Sequence, residues 1–151
     1  MVYKHYVVHP QVATLPAQAA CAAHKQGKFA EMEDLLWEKG YRAGRNYSQD
    51  NLDSIAREVG LNFDKFKSDM TGECVQVVSN DQRELSQVGT RGTPAFYING
   101  RFMSGARPIE NFKALIDDEM KKADERIKAG TPVESYYNTW VLEKGLKKLA
   151  Q

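Results

Sequence analysis

The apolar positions change period along this chain, and the changes mark out its elements. Val2 to Val8 (VYKHYVV) is rich in β-branched and aromatic residues and stops at His9-Pro10, which predicts a strand buried on at least one face. Helical spacing follows. Thr14 is placed to cap a helix with Pro16 in its first turn, the alanine-rich AQAACAA continues it, and Gly27 stops it. In FAEMEDLLWEKG the residues Phe29, Met32, Leu36 and Trp37 share one stripe, which reads as a packing face and not a ligand box. After the loop YRAGRNYS, Ser48 is set to cap a helix carrying Leu52, Ile55, Ala56 and Val59 up to Gly60. Asn62 starts a short helix through Phe63, Phe66 and Met70. Another runs from about Thr71 to Gln87, with Val75, Val78 and Leu85 expected to be buried.

The period then drops to two. Ala95–Ile98 and Arg101–Ser104 flank Asn99-Gly100, the pair best suited to a type I′ hairpin because both central residues need positive φ. Pro108 suits the first turn of a helix, and Ile109, Phe112, Leu115, Ile116, Ala123 and Ile127 form a long apolar stripe ending at Gly130. TPVE reads as a capping box from Thr131 to Glu134, predicting a last helix with Val133, Tyr136, Tyr137, Trp140 and Val141 on one face. That face must cover its own domain or another surface. No internal repeat or low-complexity tract is visible.

Composition narrows the function classes. With 151 residues, 42% of them hydrophobic, the chain is long enough for one domain with a core plus a small extension. Twenty-one basic and 20 acidic residues leave a formal net charge of +1, which argues against a dedicated nucleic-acid surface. No apolar run is long enough to span a bilayer, and Met1 is followed by the strand-like segment and not by a signal-peptide pattern, so no membrane partner is expected. The two cysteines, Cys21 and Cys74, form no C-x-x-C, and His5, His9 and His24 lack the spacing of a zinc site, so neither a metal nor another cofactor is implied.

Strand, helical block, Gly-Thr-Pro, hairpin and closing helix follow one another in an order that resembles the DsbA-like branch of the thioredoxin superfamily. The segments YKHYVVHP, PAQAACAAHKQGKFAEMEDLLW and GTRGTPAFYINGRFMSGARPIENFKALID carry the resemblance, over most of residues 2 to 118. It implies an α/β, thioredoxin-like domain over residues 1–120 with a helical insertion at about 14–87, followed by a helical extension over 121–151. It also implies that Pro94 follows a cis peptide and that Thr93 faces the active site. X-Pro is the peptide whose cis form costs only about 0.5–1 kcal/mol. The family uses the neighbouring backbone edge to hold an extended peptide or protein substrate by strand addition. Arg91, Gly92, Thr93 and Pro94 are therefore the candidate substrate-binding residues, with Arg91 touching either a bound peptide or only solvent.

The sequence departs from that family where the chemistry should be. The redox C-x-x-C, normally activated at a helix N-terminus, is absent, and so are the first strand and first helix of the fold. In the thioredoxin arrangement that strand lies between those corresponding to Val2–Val8 and Ala95–Ile98. Each buried polar group it leaves unpaired would cost on the order of 1–3 kcal/mol. Either these strands pair directly, or another chain or a second copy completes the sheet, or the chain is part of a longer protein. Cys21 and Cys74 are weak candidates for catalysis or for a mutual disulfide. The favoured reading makes Cys21 a small apolar residue on an alanine-rich helix and Cys74 an incidental half-buried thiol. His9, at the end of the strand, reads as a turn or capping group. Family resemblance thus supplies an oxidoreductase label and an extracytoplasmic compartment, whereas the residues present favour a redox-inactive peptide-binding or assembly module.

Overall fold

Pro10 opens the first helix, α1 (Pro10–His24), ahead of the start expected at Thr14. Thr14 is not the cap; its hydroxyl donates back to the carbonyl of Pro10 at 2.7 Å. Pro16 lies inside the helix, where it forgoes one i→i−4 hydrogen bond. The computed structural model describes residues 1–145, and the chain divides into two compact units, Met1–Leu85 and Ser86–Gln151. Residues 146–151 of the expected C-terminal extension lie outside the described residues.

In the first unit α1 is followed by α2 (Phe29–Leu35), a π-helical turn at Leu36–Tyr41, α3 (Gln49–Glu58), α4 (Phe63–Thr71) and α5 (Glu73–Gln87). Two of the expected caps are present: Ser48 accepts from the Asn51 N–H and Asn62 from the Lys65 N–H. Ala19, Ala20, Cys21, Ala22 and Ala23 are all buried, and these small side chains let α1 run against α2, α3 and α4. Met32, Leu52, Ile55, Phe66 and Met70 fill the space around it. The π-helical turn rotates Trp37 out of the expected stripe, leaving it 51% exposed while Leu36 stays buried. In α5 the buried row runs through Cys74, Val78 and Asp81, one residue away from the expected Val75, which is exposed.

Val2–Val8 belongs to no strand, contrary to the sequence expectation. The segment has no partner strand among the described residues of its unit. Its N–H groups turn to side chains of α5 instead: His5 donates to Asp81 Oδ2 at 2.9 Å and Val7 to Gln82 Oε1 at 2.6 Å. Lys4 adds an ion pair to Asp81 at 2.8 Å.

The second unit holds β1 (Ala95–Ile98) and β2 (Arg101–Ser104), with the boundaries expected from the sequence. They pair antiparallel in the register Ala95–Ser104 to Ile98–Arg101, and Asn99 (φ 49°) and Gly100 (φ 88°) make the turn. The single long helix α6 (Ile109–Lys128) follows, its first turn reached through Pro108. Phe96 of β1 meets Phe112 of α6 edge to face, with ring centroids 4.9 Å apart. The stripe expected on α6 is only partly covered, because Ile109 and Ile116 are 58% and 42% exposed while the charged Glu119 is buried.

The last expected helix is instead a 3₁₀ turn, Val133–Ser135, and a π-helical segment, Tyr137–Glu143. Thr131 does not act as its cap, because its hydroxyl accepts from Trp140 Nε1 at 3.2 Å. Trp140 is half-buried under Arg126 of α6, whose guanidinium carbon sits 4.1 Å from the ring centroid. Tyr137 remains 61% exposed. The segment meets α6 through Trp140 and through the Tyr136 hydroxyl, which accepts from Arg126 Nη1 at 3.1 Å.

Candidate functional site

The loop before β1 holds four of the candidate residues in continuous sequence. Its anchor is Thr90, which is buried and whose hydroxyl lies 2.6 Å from the hydroxyl of Tyr97 on β1. At its other end the Pro94 carbonyl accepts from the Gly105 N–H at 2.8 Å, extending the β1–β2 ladder by one rung. Between these fixed points Arg91, Thr93 and Pro94 are exposed and Gly92 is half-buried. The Thr93–Pro94 peptide bond is cis. A side chain added at Gly92 would meet no described atom within 4 Å.

The hairpin register decides which backbone groups of β1 are committed. With Ile98 opposite Arg101 across a two-residue turn, Phe96 and Ile98 direct their N–H and C=O groups toward β2. Ala95 and Tyr97 direct theirs to the opposite edge. The described sheet has two strands, so no third strand pairs with that edge within it. An extended polypeptide is the chemistry such an edge accepts, because it offers alternating donors and acceptors at matching spacing.

The turn end of the hairpin is locked to α6 by a charged cluster that the sequence reading did not single out. Glu119 accepts from Asn99 Nδ2 at 3.0 Å, Arg101 Nη1 at 3.1 Å and Lys122 Nζ at 2.9 Å. Asp118 pairs with the same Arg101 and Lys122. Burial by itself would raise the Glu119 carboxyl, but the hydrogen bonds from Lys122, Arg101 and Asn99 outweigh it and hold the group below the usual glutamate range.

The thiols turn out otherwise than the favoured sequence reading. Cys21 of α1 and Cys74 of α5 are joined in a disulfide, with Cα atoms 5.8 Å apart, and no described cysteine is free. Both are buried, at 5% and 0% exposure. The bond fastens α1 to α5. Close by, Lys25 at the end of α1 bridges Asp69 and Glu73, and Lys65 also pairs with Asp69. Hydrogen bonds from Lys25 and then Lys65 lower the Asp69 carboxyl.

His9 is exposed and stands at the head of α1, its carbonyl accepting from the Val12 and Ala13 N–H groups; its side chain makes no cap hydrogen bond. His5 is half-buried. Desolvation is the largest influence and lowers its pKa; Asp81 works against the shift, and His24 and Lys4 add to it. Hydrogen bonds to Asp81 and Glu84 raise Lys4. These groups hold the N-terminal segment in place.

The profile of the DSBA-like thioredoxin domain matches residues 6–117, which includes α1 to α5, the Gly92-Thr93-Pro94 loop, the hairpin and the first half of α6. The chain belongs to the DSBA-like thioredoxin domain family. The chain is 36% identical over 112 residues to a protein of Salinispora arenicola named Na(+)/H(+) antiporter NhaA 1, covering 72% of this chain and 16% of that one. It is 34% identical over 128 residues to one of Salinispora tropica named Na(+)/H(+) antiporter NhaA 3, covering 82% and 18%. It is 26% identical over 117 residues to one of Herminiimonas arsenicoxydans named Na(+)/H(+) antiporter NhaA, covering 77% and 18%. The chain thus spans less than a fifth of the length of these curated relatives. No solved structure matches it. Among the described residues no helix is long and apolar enough to cross a membrane.

Proposed function

We propose that this DSBA-like domain binds extended polypeptide at the Arg91–Pro94 loop and the adjoining edge of β1, and that it carries out no thiol–disulfide chemistry of its own. The observation that carries the reading is the combination of a loop that exposes Arg91, Thr93 and Pro94 with a β1 edge at Ala95 and Tyr97 that faces away from β2. Thr93 lies at the bend, and its backbone is the nearest pairing group to an incoming strand. Arg91 supplies a cation beside it for a peptide carboxylate.

Redox inactivity rests on two features. The sequence contains no C-x-x-C, and the only two cysteines are committed to a buried disulfide. A disulfide of that kind persists in an oxidising compartment, which supports an extracytoplasmic setting for the domain. The antiport named for the relatives is not carried over to this chain, because the matched segment is a minor part of them and its described helices are not membrane-spanning.

A second reading makes the domain an assembly module whose sheet is completed by another chain. The two-stranded sheet favours it, since an isolated hairpin is marginal and three or more strands are the usual minimum. The two readings use the same edge and differ in whether its occupant is a transient peptide or a permanent strand.

Dithiol-dependent insulin reduction tests the redox part. The purified chain is expected to leave the rate at the uncatalysed value. Turnover that disappears in Cys21→Ser or Cys74→Ser would make the thiols catalytic and overturn the proposal.

A further inference from the structure

Helix α6 has two apolar rows, and the described residues of its unit cover only one of them. Phe112 faces β1 and Glu119 faces the turn of the hairpin. A quarter-turn away, Ile109, Ile116 and Met120 are 58%, 42% and 59% exposed, with Ala123 and Ile127 half-buried on the same line. Beside this second row runs a line of charges at helical spacing: Glu110, Lys113, Asp117, Lys121, Asp124 and Lys128. Its signs alternate along the whole helix, beginning negative and ending positive. Among the described residues none of these six is in an ion pair, whereas Asp118, Glu119 and Lys122 on the other side are all paired. A shallow depression of about 360 Å³ lies along the same face, lined by Asp117, Met120, Lys121, Asp124, Glu125 and Lys128.

We propose that this face pairs with the same face of a second copy, antiparallel, about a two-fold axis near residues 118 and 119. Reversing the helix inverts every sign in the charged line. Glu110 then meets Lys128, Lys113 meets Asp124 or Glu125, and Asp117 meets Lys121. The apolar row obeys the same reversal, bringing Ile109 onto Ile127 and Ile116 onto Met120. A parallel in-register pair would instead set like charges against each other, which is how charged flanks select orientation between paired helices. The line carries three acidic and three basic residues, Glu110, Asp117 and Asp124 against Lys113, Lys121 and Lys128. With no excess of either sign it offers little to a polyanion or an anionic membrane surface, and its complement is its own reverse. An interface of this kind is isologous, so each contact occurs twice and each change in it counts twice.

A charge swap in the full chain tests the proposal. Sedimentation at several protein concentrations is expected to show a reversible dimer that weakens as salt rises. Lys121→Glu places a carboxylate opposite Asp117 of the second copy in both halves, and is expected to weaken association at least about tenfold. Adding Asp117→Lys to it restores the opposite signs, so the double variant is expected to dimerise like the parent. Both positions are exposed on α6, and circular dichroism checks that each variant keeps its helices. A monomer at about 100 times the concentration used for ordinary assays, a dimer indifferent to Lys121→Glu, or a double variant that stays monomeric would each overturn the interface. The result is separable from peptide binding: these residues lie outside Arg91–Pro94, so peptide affinity measured on the same variants is expected to be unchanged. A dimer held by the β1 edge would survive Lys121→Glu, and so would contradict this proposal while supporting the assembly reading.

Discussion

Cys21 and Cys74 join α1 to α5 across 53 residues of chain, and the loop they close contains the whole of α2, α3 and α4. The bond therefore constrains every helix of the first unit. Loop-closure entropy for that separation corresponds to about 4 kcal/mol at 25 °C. Replacing both cysteines with alanine is expected to lower the unfolding free energy by about 2–4 kcal/mol, the usual range for such bonds. Urea unfolding with matched slopes checks this, and a loss below about 0.5 kcal/mol would mean that packing alone holds α5 in place.

Asp81 holds the Val2–Val8 segment, which has no strand neighbour among the described residues of its unit. One carboxylate oxygen takes the Lys4 ammonium and the other the His5 N–H. Asp81→Ala is expected to cost on the order of 1–3 kcal/mol, since it strands the part-buried His5 N–H and leaves the Lys4 ammonium with Glu84 alone. Hydrogen exchange should localise the effect, with the His5 and Val7 amides exchanging faster while the Phe66 and Met70 amides keep their protection.

The same segment gives a pH dependence. Burial lowers the folded pKa of His5 below its ordinary value, so folding resists its protonation. Stability from this group is complete above the unfolded value of about 6.5 and is lost as the pH falls through the folded one. Lys4, Asp81 and His24 surround it, and the neutral variant His5→Gln is expected to flatten the stability profile between about pH 5 and 7. An unchanged profile would assign that slope to other groups.

Glu119 titrates in a lower window. Its folded pKa is depressed, so its contribution is present above the ordinary glutamate value and disappears as the pH falls through the folded value. Glu119→Gln is expected to cost on the order of 1–3 kcal/mol near neutrality and much less in acid, where the parent has lost the same charge. Thermal unfolding of both proteins across pH 3 to about 7 checks the convergence.

How legible all this was depends on where each element gets its stability. The hairpin was readable to the residue, because Asn99-Gly100 is local turn chemistry and needs nothing distant. The caps at Ser48 and Asn62 were readable for the same reason. Val2–Val8 was misread because β-branched composition says that a segment is extended, not that a neighbouring strand exists to pair with it. Trp37 and Tyr137 were misplaced by π-helical turns, which break the 3.6-residue spacing on which stripe counting relies. The buried row of α5 passes through Cys74, Val78 and Asp81, with Leu85 next at helical spacing. An acidic residue in that row was a usable sign of a buried partner, and so was Glu119 in the row with Phe112 and Leu115. The disulfide had no local sign, since pairing of Cys21 with Cys74 follows only from the packing of α1 against α4, which brings the start of α5 to it. Of the candidate site, the Arg91–Pro94 loop was legible from its sequence. The edge it opens onto follows from the register of β1.

The central claim is that this loop and the β1 edge hold extended polypeptide without covalent chemistry. Its most direct test is an amide-shift titration of the isotope-labelled chain with an unstructured peptide that contains no cysteine. The account predicts saturable shifts concentrated at Arg91, Gly92, Thr93, Ala95 and Tyr97, unaltered by reductant at concentrations that leave the Cys21–Cys74 bond intact. Shifts absent from these residues at saturating peptide, or binding that requires a cysteine in the peptide and yields a mixed disulfide, would contradict it.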